Sequence, residues 1–194
     1  MKIALFAAVP EEVGTLADKF HFTGIGRENA TRTMVKFMNE HKDDDFIIVN
    51  AGSVGSHNNP VGALLSINEV ISAGSPFNDE RMMLDQLDVA SNQRLEPAVL
   101  YSSDSFVSPA VFTQGYLDSI KQKADCFDME ASALYSVCSI FGKKYVSYKV
   151  VSDNLDVTIE VWQQRVKELS KSLVAHLQEV FKEIEEKEGL EFLL

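Results

Sequence analysis

Residues 126 to 156, CFDMEASALYSVCSIFGKKYVSYKVVSDNLD, constrain this chain more than any other stretch. Two carboxylates, Asp128 and Glu130, lead into an apolar run from Ala131 to Phe141 that predicts a helix. Gly142 is placed to stop it, as glycine commonly does just past a helix C-terminus. Tyr145 to Val151 is then rich in β-branched and aromatic residues, as expected of a buried strand. Ser152-Asp153 stands directly at its end. Ligands of open α/β sheets bind outside the carboxyl ends of the strands, which makes Asp153 a candidate catalytic acid. The plainer alternative is that Asp128 caps one helix and Asp153 the next.

The rest of the chain alternates in the same way. Ile3 to Val9 reads as a strand covered on both faces, and Pro10 suits the first position of a helix. Glu11 and Glu12 fall in its first turn, where the helix dipole favours negative charge; alternatively, one of them turns back over the strand end. Gly24-Ile25-Gly26 precedes a predicted helix over Arg27 to His41, whose Ala30, Met34, Phe37 and Met38 share one face. The glycine pair lacks both a G-x-G-x-x-G completion and a P-loop lysine. Asp43-Asp44-Asp45 lacks the spacing and glycine of a calcium loop, so no metal site is expected there. Phe46 to Val49 reads as a second strand, ending in Asn50-Ala51-Gly52-Ser53-Val54-Gly55-Ser56. Glycines in such a place serve a close backbone approach, a positive φ or simply a tight turn.

Ala63 to Ile71 and Ala98 to Tyr101 predict further strands, the latter closing in Ser102-Ser103-Asp104-Ser105-Phe106-Val107. Between them, residues 74 to 96 read as a polar surface excursion with a short helix around Arg81 to Leu87. After Asp153, Trp162, Val166, Leu169, Leu173, Leu177, Val180 and Ile184 recur at helical spacing and predict a long helix lying over the sheet. Trp162 is expected on its core-facing side, with a lid over a site as the alternative. No internal repeat or low-complexity linker divides the 194 residues, so one domain is expected.

Charge and cysteine content exclude several functions. A net charge of −11 disfavours a polynucleotide partner, though not a single nucleoside. Cys126 and Cys138 alone supply neither a disulfide framework nor metal-ligand spacing. The apolar start before Pro10 is too short to span a bilayer and runs into a charged helix start instead of a cleavage site. A cytoplasmic protein without membrane contact is expected.

Phe127-Asp128-Met129-Glu130-Ala131-Ser132-Ala133 resembles the (V/D)-(E/D)-M-E-(A/G)-(A/T)-A signature of the purine nucleoside phosphorylase and nucleosidase superfamily. Val151-Ser152-Asp153 resembles its following S-D, and Ser102 to Val107 its S-G-D-x-F-(I/V). Gly24 to Ala30 and Asn50 to Ser56 resemble its S-G-I-G-K-x-N-A and N-T-G-S-A-G-G, with 5'-methylthioadenosine/S-adenosylhomocysteine nucleosidases the nearest relatives. The resemblance implies a single α/β domain of three layers, helices on both sides of a mixed, mostly parallel sheet. The short spacing before Gly24 implies a sheet trimmed by about two strands near the N-terminus. It also implies a homodimer that uses neither metal nor organic cofactor.

Cleaving a purine nucleoside requires an acid at the purine N7, a base for the attacking water and a grip on the sugar hydroxyls. The resemblance assigns these to Asp153, Glu12 and Glu130. It places Met129 against the sugar, Phe106 on the purine face and the Val107 backbone at its edge. Ser53 would help place Glu12 or the water, and Asp128 belongs to the same substrate-binding segment. Asp153 would need a raised pKa to serve as an acid near neutrality. Three positions depart from the family pattern: Asp128 for Glu, Lys149 for Arg and Leu155 for Ala.

Hydrolysis is expected over phosphorolysis. Phosphorolytic relatives carry an arginine where this chain has Asn50, and Arg27 is the remaining nearby cation. The alternatives are a purine nucleoside phosphorylase and a catalytically weak nucleoside-binding protein.

Overall fold

The computed structural model describes residues 1–73 and 80–194. Its strands are β1 (Lys2–Ala7), β2 (Phe20–Phe22), β3 (Ile47–Ser56), β4 (Leu64–Ser72), β5 (Glu80–Met83), β6 (Glu96–Ser102), β7 (Cys126–Asp128), β8 (Lys144–Asp153) and β9 (Glu191–Phe192). Its helices are α1 (Arg27–Glu40), α2 (Gln114–Lys121), α3 (Ala131–Ile140) and α4 (Ile159–Glu188). All the strands join one sheet. β1 carries β2, β3 and β9 as parallel partners. Beyond β3 the sheet closes on itself: β3 pairs with β8, β8 with β4, β4 with β6, β6 with β7, and β7 returns antiparallel to β3.

Alternation along the strands distributes the apolar side chains to two faces. Ala4 and Phe6 of β1 join a core with Met34 and Met38 of α1 and Leu134 and Cys138 of α3. Ile3, Leu5 and Ala7 point the other way, into a core with Leu173, Leu177 and Val180 of α4. The result is the expected α/β architecture, helices on both sides of a mixed, mostly parallel sheet. Between β1 and β2 stand only short 3-10 turns, Pro10–Glu12 and Gly14–Lys19, so no hairpin occupies the shortened N-terminal spacing. Gly142, at φ 64°, ends α3 as expected.

Three readings of local structure are corrected. Arg81 to Leu87 form no helix: Glu80–Met83 is a strand antiparallel to β4, with Met82 buried between exposed Arg81 and Met83. Residues 74–79 of that excursion lie outside the described residues. Pro10 opens a single 3-10 turn rather than a helix. The Asn50 to Ser56 segment is no turn but the second half of β3, held by β8 along its length. Its register slips beyond Val54, where Val54 faces Val151 and Gly55 faces Asp153, leaving Ser152 as an extra residue in β8. Such a bulge re-aims the side chains at a strand end.

Candidate active site

The bulge helps set one wall of a cleft at the ends of β1, β3 and β8. Ser152 and Asp153 both line it, facing Glu12 and Ser53, with Asp128 and Glu130 at the start of α3. Phe106, Val107 and Met129 line it too, so all eight residues singled out from the sequence meet in one place.

Glu12 reaches the cleft because its 3-10 turn folds it back over β1. Its carboxylate accepts the Ala8 amide at 3.1 Å on Oε2, and the Ser53 amide and hydroxyl, each at 2.8 Å, on Oε1. A side chain on Gly52 would come within 3.1 Å of Glu12 Oε1. The glycine there thus admits a carboxylate, and its φ is not positive.

Asp153 is 1% exposed and accepts Ser152 Oγ at 2.8 Å and the Leu155 amide at 2.9 Å. Leu155 takes a left-handed φ of 66°, unusual for a side chain of its size. Gly55 makes room for it, since a Cβ there would lie 2.5 Å from Leu155 Cδ2 and 3.0 Å from Asp153 Oδ1. Gly52 beside Glu12 and Gly55 beside Asp153 are three residues apart on β3, a span of about 10 Å.

Asp128 is held differently. It accepts the Ala131 amide and the Ser102 hydroxyl, and forms an ion pair with Lys149 Nζ at 3.1 Å. It both caps α3 and neutralises a lysine that is 2% exposed. Burial pulls Lys149 toward the neutral amine, but Asp128, Glu12 and Glu130 outweigh it and raise its pKa. Two of the three departures from the family pattern are therefore partners in one buried ion pair.

Glu130 accepts the Gly26 amide at 2.7 Å, from a glycine at φ 97° that opens α1. Burial, then the charges of Asp128 and Glu12, push its carboxyl up to about 8. Trp162 lies at the rim of this cleft instead of in the core under α4, and its indole Nε1 donates to Ser53 Oγ at 2.9 Å. Helical periodicity gave no sign of that bond.

The two positions weighed as anion binders both face elsewhere. Asn50 is buried beneath the sheet, donating to the Phe6 carbonyl and accepting from Tyr145 and Ser147 hydroxyls. Arg27 clamps Asp104 through Nε and Nη2, and Nη1 donates to Ser72 and the Ala73 carbonyl. Among the described residues no lysine or arginine lines the cleft. Asp44 of the acidic triplet pairs with His41 and Lys2.

A cleft at strand ends with acidic side chains from three separate elements, in a mixed sheet flanked by helices, is the architecture of an α/β protein. The chain belongs to the phosphorylase superfamily, whose family model matches residues 2–184. The fold is similar to that of futalosine hydrolase from Helicobacter pylori, at TM-score 0.77 and 17% identity over 94% of this chain and 98% of that one. It is similar also to 5'-methylthioadenosine/S-adenosylhomocysteine nucleosidase from Neisseria meningitidis in complex with methylthio-immucillin-A, at TM-score 0.77 and 18% identity over 93% and 98%. The Arabidopsis thaliana 5'-methylthioadenosine nucleosidase gives TM-score 0.78 and 16% identity over 93% and 94%. No curated protein sequence matches the chain significantly. No helix among the described residues is long and apolar enough to cross a membrane.

Proposed function

We propose that this protein hydrolyses the N-glycosidic bond of a purine nucleoside of the 5'-methylthioadenosine or S-adenosylhomocysteine kind. One observation carries the reading: Glu12 and Asp153, carried by different elements, line the same cleft together with Glu130 and Met129. Two carboxyl groups in one cleft can act as general base and general acid on either side of a glycosidic bond, the division of labour that inverting glycoside hydrolysis requires. Asp153 protonates the purine N7 as the C1'–N9 bond breaks. Glu12 takes a proton from the water that attacks C1', leaving free purine and the ribose derivative. Glu130 and Met129 hold the sugar, Phe106 covers the purine face, and the Val107 backbone meets its edge. Ile25 and Ile159, which line the mouth at 42% and 50% exposure, offer an apolar seat to a 5' substituent.

The absence of lysine and arginine from the lining, among the described residues, supports water over phosphate. A phosphate dianion would meet a lining rich in acidic side chains and, among the described residues, no cation to pair with. The test is release of free base from 5'-methylthioadenosine, S-adenosylhomocysteine, futalosine and unmodified purine nucleosides, with and without inorganic phosphate. Phosphate-independent release with a free reducing sugar is expected. A sugar 1-phosphate would replace this reading with phosphorolysis, and binding without turnover would leave a nucleoside-binding protein.

A further inference from the structure

We propose that Trp162 is a positioning residue for Glu12, acting through Ser53; the inference rests on the hydrolytic reading above. The argument is one of proton counting. An indole Nε1–H can only donate, so the 2.9 Å bond from Trp162 makes Ser53 Oγ the acceptor. A serine hydroxyl carries a single proton, and with Trp162 approaching from one side that proton goes to Glu12 Oε1 at 2.8 Å. The direction of the chain Trp162 to Ser53 to Glu12 is thereby fixed. Without the indole, the hydroxyl is free to rotate and accept instead of donate.

The consequence falls on one oxygen. Oε1 receives both the Ser53 hydroxyl and the Ser53 amide at 2.8 Å, while Oε2 has only the Ala8 amide at 3.1 Å. Two donors occupy Oε1 and leave Oε2 with spare capacity to accept a proton from water. Trp162 stands in the first turn of α4, one turn beyond Thr158, whose carbonyl accepts its amide at 3.0 Å. The start of the longest helix is thus wired to the candidate base across 109 residues of sequence between Ser53 and Trp162.

Trp162→Phe keeps the ring and removes the donor. It is expected to lower kcat by about tenfold, the scale of one lost hydrogen bond, with KM changed by less than about twofold. Ser53→Ala should do the same, and the double variant should be no slower than Ser53→Ala alone. A second measurement needs no turnover. Trp162 is the sole tryptophan, so the labelled protein has one indole N–H signal in a 15N correlation spectrum. That signal should move upfield in Ser53→Ala, where the indole loses its acceptor. An indole signal indifferent to Ser53→Ala overturns the relay. So do additive kinetic losses, or a loss that falls on KM instead of kcat. A wild-type protein that releases no base from any nucleoside would overturn the hydrolytic reading, and the indole signal would still decide the relay.

Discussion

Asp128 and Lys149 show what a residue can and cannot disclose alone. Each stands in the sequence as a separate departure from the family pattern, Asp for Glu and Lys for Arg, with nothing to connect positions 21 apart. The structure joins them at 3.1 Å, where a shorter acid meets a slimmer base in a fully enclosed space. We expect Asp128→Glu and Lys149→Arg each to lower the melting temperature, and the double exchange to recover much of the loss. Additive losses would mean that the two do not share one constraint. Glu130 predicts a pH effect. Its carboxyl keeps its proton up to about 8 in the fold, against an ordinary value of 4.5 when unfolded. The folded state therefore binds more protons across that window, and stability falls as pH rises from 4.5 to about 8. Glu130→Gln lacks this slope, so its urea midpoint relative to wild type should rise between pH 5 and pH 8. Parallel curves would contradict it. For Asp153→Asn, base release should drop about a hundredfold or more with little change in melting temperature. Turnover near normal would leave Asp153 a structural residue.

At the level of elements, the strings that carry chemistry were legible because they resemble a family's motifs in the same order; position at strand ends pointed to Asp153 alone. Glu12, Ser53, Asp128, Glu130 and Asp153 could be picked out without knowing how the strands pair. Pairing itself was not legible. Arg81 to Leu87 resembled a helix because local composition permits one, but β4 supplies an edge that turns Glu80–Met83 into a strand. For the Gly52 and Gly55 segment the sequence left a close backbone approach, a positive φ and a tight turn all open; β8 along its side keeps it extended. Ser152 could be placed before Asp153 by sequence, yet the bulge that turns both into the cleft depends on register with β3. Gly55 is the sensitive point of that register. Gly55→Ala should cost roughly 1–3 kcal/mol in urea unfolding, because its Cβ meets buried Leu155 and Asp153. Base release should fall as well. Gly115→Ala on α2, where a Cβ meets nothing within 4 Å, is the control and should be neutral or slightly stabilising. Equal behaviour of the two would remove the packing argument.

For the molecule as a whole, helices pack apolar cores against both faces of one sheet, and the cleft lies at its strand ends. Its mouth presents Ile25 and Ile159 to solvent. A second copy covering them is the expected state, and sedimentation at micromolar concentration should give twice the chain mass of 21.6 kDa. A monomeric mass would count against it. The closed circuit of strands has one more consequence, for the order of events during folding. β3 lies between the two candidate catalytic groups in the chain and beneath both in space, so the cleft exists only once β8 has found β3 across the intervening strands. Pairings of such long sequence separation form late and slowly. Recovery of turnover after dilution from denaturant should therefore lag behind recovery of helix, and a fragment ending before β8 should hold a sheet edge and no catalyst.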